Sequence, residues 1–285
     1  MRVLSITTVA AAIEWGGELV LVRTGHPSHT HHQKRNDIVR AETGETLAEW
    51  QGAGIEAATA CGDSIVCACL DGIVYIVQGG EVVQVDLPQD DIWPTRGIEF
   101  SPGIALFVGL KGKLLLVDVA ARTARISSLA SMDVAKPGRN IDGVIKTGPG
   151  TCYLLGKREM LIHYDAERCE VLSTTRSEIC FKSAVNFQNT LWITAIDGGI
   201  NHKLARIADS TVEYHDSPVG PGPYSPSLAV CERGLLTGCR RVFLGIPGEW
   251  REIGAVDDES IISLFPRGEH VLAVTSEGKV KRFGI

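Results

Sequence analysis

The chain contains no apolar run approaching the roughly 20 residues that a membrane-spanning helix requires. It also lacks an excess of positive charge: 28 Lys and Arg against 34 Asp and Glu leave a net charge of −6. Such a balance disfavours nucleic acid or an anionic membrane as the main partner and leaves a basic protein surface open. Helical periodicity is nearly absent, because apolar residues nowhere recur at spacings of three and four over a dozen positions between a cap and a terminal glycine. The eight cysteines, at 61, 67, 69, 152, 169, 180, 231 and 239, do not form the paired short spacings of zinc ribbons or redox loops. Catalytic signatures are missing too. There is no phosphate loop, no Gly-x-Ser-x-Gly elbow, no His-Glu-x-x-His and no dinucleotide fingerprint, and Gly220-Pro-Gly-Pro223 reads as a loop.

What remains is a 285-residue chain with 44% hydrophobic and 22% charged residues. That composition excludes a disordered polymer, and the length allows two domains or one large repeat-built domain. The first residues, Met1 to Glu14, end in alanines as a short signal peptide does, but Ser5, Thr7 and Thr8 break the apolar run and one basic residue precedes it. A β-strand is the expectation there, with a cytoplasmic location. In Ser64-Ile-Val-Cys-Ala-Cys-Leu-Asp71 the thiols of Cys67 and Cys69 sit in an apolar run suited to a strand buried on both faces, so the cysteines read as reduced core-filling thiols.

Short β-branched and apolar runs are cut throughout by Gly, Asp and Asn turns such as Gly16-Gly17, Asp71-Gly72 and Gly79-Gly80, which signal antiparallel hairpins. The strongest runs begin near Glu18, Ser64, Ile104, Thr151, Thr190, Leu235 and His270, a mean spacing of about 42 residues. A four-stranded propeller blade takes about 40–45 residues, whereas helical repeats of that length would show amphipathic helices. One unit parses fully as Ile55 to Cys61, Ser64 to Leu70, Ile73 to Val77 and Glu81 to Leu87. The expected fold is therefore all-β: a single seven-bladed β-propeller domain over residues 1–285. The last unit, ending at Phe283, stops one strand short, and Arg2 to Ile6 is expected to supply that strand and close the ring.

Several segments resemble bacterial propellers of the loose WD-repeat and PQQ-like type. In Arg40-Ala-Glu-Thr-Gly-Glu-Thr-Leu-Ala-Glu-Trp50, a Thr-Gly turn is followed by a tryptophan six residues after the glycine, which resembles the docking motif of PQQ-like repeats. Ile141-Asp-Gly-Val, Tyr153-Leu-Leu-Gly156, His163-Tyr-Asp165, Gly248-Glu-Trp-Arg-Glu-Ile253 and Gly278-Lys-Val-Lys-Arg-Phe283 resemble propellers encoded beside polymorphic toxins in bacteria. The resemblance implies an immunity protein that occludes a cognate secreted toxin, with no turnover and no cofactor. A scaffold in a multiprotein assembly, and a propeller enzyme such as a lactonase or a PQQ-like oxidoreductase, stand as alternatives.

Propeller geometry puts the connections between second and third strands on the same rim as the blade-to-blade connections. Long loops on a rigid scaffold are where binding concentrates. This rim gathers Gly25-His-Pro-Ser-His-Thr-His-His-Gln-Lys-Arg-Asn36, Asp90-Asp-Ile-Trp-Pro-Thr-Arg96, Lys136-Pro-Gly-Arg-Asn140, Asp197-Gly-Gly-Ile-Asn-His202, Gly220-Pro-Gly-Pro-Tyr-Ser225 and Arg240-Arg241. The expected partner-binding residues are Trp93 and Tyr224 as aromatic anchors, Asp90, Asp91, Arg96, Arg139 and Arg241 as orienting charges, and Asn140 and His31 beside them. His29 and His31 fall on one side of an extended segment, but no nearby Cys or carboxylate completes a tetrahedral set, so no metal is expected. The partner is expected to be a protein toxin or another protein, with neither nucleic acid nor membrane, and the chain is expected to be a monomer. Trp15, Trp50, Trp192 and Trp250 lie within or at the ends of strands and read as core.

Overall fold

Two-residue turns that need left-handed backbone set the strand lengths. Gly79 and Gly80 have φ of 57° and 85°, the mirror-image turn whose twist matches the flanking strands. Gln188-Asn189 (52° and 58°) and Arg158-Glu159 (61° and 53°) adopt the same conformation without glycine. The computed structural model describes residues 7–25, 34–70, 72–87, 92–129, 140–166, 168–173, 177–208, 211–257 and 259–285.

Each sheet is a meander of strands consecutive in sequence. The first comprises β1 (Thr7–Trp15), β2 (Glu18–Gly25), β3 (Lys34–Arg40) and β4 (Thr46–Gly52), and the second β5 (Ile55–Cys61), β6 (Ser64–Cys69), β7 (Ile73–Gln78) and β8 (Glu81–Asp86). The third holds β9 (Pro94–Ser101), β10 (Ile104–Gly109), β11 (Lys113–Asp118) and β12 (Thr123–Ser128), and the fourth β13 (Ile141–Gly148), β14 (Thr151–Gly156), β15 (Met160–Tyr164) and β16 (Cys169–Ser173). Next come β17 (Cys180–Phe187), β18 (Thr190–Asp197), β19 (Asn201–Ala208) and β20 (Thr211–Asp216), then β21 (Ser227–Cys231), β22 (Gly234–Gly238), β23 (Arg241–Ile246) and β24 (Glu249–Ala255). Among the described residues the seventh sheet has three strands, β25 (Ile261–Arg267), β26 (His270–Thr275) and β27 (Val280–Gly284). These seven sheets are the blades of a β-propeller. The expected closing strand at residues 2–6 lies outside the described residues.

The chain forms two compact units, Met1–Cys152 with Tyr164–Cys169, and Tyr153–His163 with Glu170–Ile285. Within the first, Val20, Val22 and Ile38 of blade one meet Ile55, Cys67, Tyr75 and Val77 of blade two. The other face of blade two sets Val66, Ala68, Val74 and Ile76 against Ala105, Phe107, Leu115 and Val117 of blade three. Middle strands are thus buried on both faces, which is why β6 reads as a continuous apolar run and not as an alternation. In the second unit Leu236, Val242 and Leu244 pack in the same way against Leu264, Val271 and Ala273.

A buried polar network locks blade one to blade two. Thr24 Oγ1 donates to Asn36 Oδ1 at 2.8 Å, Asn36 Nδ2 donates to the Ala53 carbonyl at 3.0 Å, and the Ala53 amide donates to Tyr75 Oη at 2.9 Å. Beside it, Arg23 holds the buried Asp37 carboxylate with two bonds of 2.7 Å, which raise the guanidinium pKa. The expected core role of Trp50 is met where its ring stands edge-on to Tyr75, 5.3 Å between centroids. The adjacent Gly52 leaves room for the Tyr75 ring: a Cβ there would overlap the phenol hydroxyl and stand 3.0 Å from Cζ. The pattern recurs in the second unit, where a Cβ on Gly254 of the outer strand β24 would lie 2.7 Å from Cγ of Phe283 in β27.

Because Tyr75 is buried and cannot swing away, Gly52→Ala should lower the unfolding free energy by about 1–3 kcal/mol. Gly284→Ala, whose Cβ meets nothing within 4 Å, should stay within about 0.5 kcal/mol. Urea melts of the two variants and the parent make the comparison.

Six of the eight cysteines are buried, and Cys169 and Cys231 are partly exposed. Burial pushes the Cys61 thiol up to about 11 and Cys152 up to about 12, and holds Cys67 well above the ordinary thiol range. A raised folded-state pKa gives stability that is complete below the unfolded thiol value of about 8.5 and is lost as pH climbs through the folded values. Melting temperature under reductant should therefore be level from pH 7 to 8 and fall between pH 9 and 11. In the native state at pH 7, Cys231 should alkylate first, with Cys67 and Cys152 reacting only on unfolding.

Candidate functional site

Turns between first and second strands are short, whereas the opposite rim carries the longer connections. Along the segment entering β9, side chains alternate: Ile92 is buried at 1% exposure in the core of blades two and three, and Trp93 turns outward at 55%. The Trp93 carbonyl accepts the Leu110 amide at 3.2 Å, which fixes the segment to the short turn Leu110–Gly112. That turn is held from the other side by Asn140, whose Oδ1 accepts the Lys111 amide at 3.1 Å. Asn140 therefore supports the rim and does not present its side-chain oxygen outward.

Arg96, expected in the loop, lies inside β9 opposite Val108. Pro94 opens the strand, a position where its missing N–H costs no ladder bond. Thr95 is the extra residue of a bulge, and its hydroxyl is shared between the carbonyls of Val108 and Ile141 at 3.1 and 3.0 Å. The Arg96 side chain reaches solvent, yet surrounding protein lowers its pKa by desolvation. Asp90, Asp91, Arg139 and His31 lie outside the described residues.

The second unit brings together three of the expected loops. Gly198 and Gly199, with φ of 58° and 81°, turn β18 into β19 and leave Ile200 53% exposed at the tip. The Ile200 carbonyl accepts the Gly222 amide at 2.9 Å, which ties this turn to the proline-rich connection between β20 and β21. Buried Val219 anchors that connection, and Tyr224 projects from it at 48% exposure. Arg240 and Arg241 close the far side. Arg241 is the first residue of β23 and pairs with Glu252 at 3.2 Å.

Two clefts flank the proline-rich connection. One, of about 520 Å³, is bounded by His202, Pro221, Tyr224, Arg240, Arg241 and Phe243. Cys239 sits at its floor, its thiol pushed up by burial against the opposing pull of Arg240. The other, of about 630 Å³, is bounded by Lys157, Arg158, Glu178, Lys182 and the Gly198-Gly199 turn. Its edge is shaped by the strained Arg158-Glu159 turn, where Glu159 is buried and its Oε1 accepts the Ser177 hydroxyl at 2.7 Å. A chain of net charge −6 thus sets cations along this rim.

Of the expected residues, the structure brings Tyr224 and Arg241 to one cleft and leaves Trp93 exposed in the first unit. The sequence reading passed over Ile200, Arg240 and His202 as site residues. An isoleucine directly after Gly-Gly in a turn was the available signal for Ile200.

Similarity to solved structures supports the fold. The computationally designed Ika8 protein matches with a TM-score of 0.63 at 13% identity, covering 98% of this chain and 97% of that one. BamB from Moraxella catarrhalis matches with a TM-score of 0.65 at 14% identity, covering 98% and 85%. The WD40 β-propeller domain of Doa1 matches with a TM-score of 0.64 at 9% identity, covering 98% and 93%. No protein-family model matches the chain, and no curated protein sequence matches it significantly. At these identities the likeness is one of architecture: the chain is an all-β propeller.

Proposed function

We propose that the chain is a non-enzymatic binding protein that docks a protein partner on the rim formed by its longer connections. One observation carries the reading: the exposed Ile200 and Tyr224 stand on two hydrogen-bonded loops between clefts edged with cations. Exposed aromatic and apolar anchors set among charges are what a protein interface concentrates, and a rigid sheet scaffold holds them at little entropic cost. Trp93 supplies a comparable anchor in the first unit.

The finer reading is that the partner is a secreted bacterial toxin, neutralised when the rim covers its active cleft. Its support is the resemblance of Ile141-Asp-Gly-Val, Tyr153-Leu-Leu-Gly156, His163-Tyr-Asp165, Gly248-Glu-Trp-Arg-Glu-Ile253 and Gly278-Lys-Val-Lys-Arg-Phe283 to propellers encoded beside polymorphic toxins. Occlusion needs no turnover and no cofactor, only a large complementary surface.

Co-expression with a candidate toxin, sought among the genes neighbouring the chain's own gene, tests this reading. The parent should protect growth. Trp93→Ala or Tyr224→Ala should each weaken capture roughly 30-fold or more, the consequence of losing an anchor of about 2 kcal/mol. Asp63→Lys and Glu269→Lys, on the turns of the opposite rim, should leave capture within a few-fold. Lost protection in these controls alone would move the interface to the other rim, and failure of the parent would discard the toxin reading.

A further inference from the structure

His202 is the second residue of β19 and only 7% exposed. Neither of its ring nitrogens has a hydrogen-bond partner, and both are shielded from water. A neutral imidazole carries one donor and one acceptor, and buried polar groups of this kind are nearly always satisfied. The ring borders the 520 Å³ cleft beside the proline-rich connection, where a Cβ added to Gly222 would make ordinary contact with Cε1 at 3.9 Å.

Three further features give the cleft a sign and a shape. Arg240 borders it with no ion pair among the described residues, whereas the neighbouring Arg241 is already engaged by Glu252 at 3.2 Å. Among the described residues no aspartate or glutamate lines the cleft. Pro221, Tyr224 and Phe243 contribute apolar surface to the same cleft. The volume falls in the roughly 300–1,000 Å³ range of small-molecule sites and is also enough for one inserted side chain.

We propose that this cleft is an oxyanion receptor: it binds a carboxylate or phosphate on an apolar stem, with Arg240 supplying the charge and His202, whose ring reorients to bring a nitrogen into the cleft on binding, the hydrogen bond. The guanidinium fork suits a two-oxygen acceptor, and the imidazole N–H completes the set. The apolar stem lies against Tyr224 and Phe243. The inference stands on the cleft alone and does not depend on which protein the rim captures. The same oxyanion chemistry is offered by a free small acid and by an acidic side chain of a protein.

The test is NMR of the intact chain with ¹⁵N-labelled histidine, titrated with benzoate, inorganic phosphate, a blocked Glu-Glu-Leu peptide and, as the neutral isostere, benzamide. At least one oxyanion should shift the His202 ring signals saturably, and benzamide should not. Arg240→Gln should weaken that binding at least tenfold at unchanged melting temperature. His202→Phe should abolish the hydrogen-bonded component while keeping the fold, because it removes two unsatisfied nitrogens from a buried site. A tighter peptide assigns the site to an acidic protein segment, and tighter benzoate or phosphate assigns it to a free acid. The proposal is overturned if no oxyanion binds at millimolar concentration, if benzamide binds equally well, or if Arg240→Gln leaves the affinity unchanged.

Discussion

The middle strands of blade two carry apolar side chains on both faces, so neither face can be left to water and each must be covered by a neighbouring sheet. In β6 all six residues are buried, and the residues that cover them come from blades one and three. This double-sided burial accounts for the repeated meander, for the apolar runs without alternation, and for glycines where an aromatic ring crosses from one blade to the next. Gly52 beneath Tyr75 and Gly254 beneath Phe283 are two instances of one solution: an outer strand gives up a side chain so that the next blade can approach. The buried Thr24–Asn36–Ala53–Tyr75 network adds direction to a contact that burial alone would leave free to slide.

With the faces spent on stability, the strand connections are what remain for recognition, and the two rims differ. Turns between first and second strands, such as Gln188-Asn189 and Gly268-Glu269, are tight and short. In the first unit the connection entering β9 exposes Trp93, and in the second unit the longer connections carry Ile200, Tyr224 and the cations of both clefts. The fold does not select a ligand, since propellers host many functions. Arg240, which among the described residues borders its cleft with no ion pair, is the side chain on which the proposed selection turns.

Period and turn chemistry made the blade architecture legible. The parse of Ile55 to Leu87 into four strands differs from the observed β5 to β8 by at most a residue at each strand end, because glycine turns and two-sided apolar runs are local signals. Arg96 was misplaced for an equally local reason. A proline followed by a threonine reads as loop, while the bulge at Thr95 lets the strand begin there and keeps Arg96 in register with Val108. Asn140 looked like an outward polar residue, and its use as an acceptor for the Lys111 amide depends on a turn 29 residues away. The sequence assigns His202 to the β18–β19 connection, but its missing partners are a tertiary fact with no signature in sequence. The two compact units were equally silent, since the repeat spacing runs through residues 152–170 without interruption.

The most direct test of the binding-rim account is hydrogen–deuterium exchange on the chain with and without the protein partner recovered from co-expression. The account predicts slowed exchange in the connections at 198–200, 217–226 and 239–240, with the turns at 62–63, 188–189 and 268–269 unchanged. Protection confined to those three turns, with the proline-rich connection exchanging as in the free chain, would contradict it.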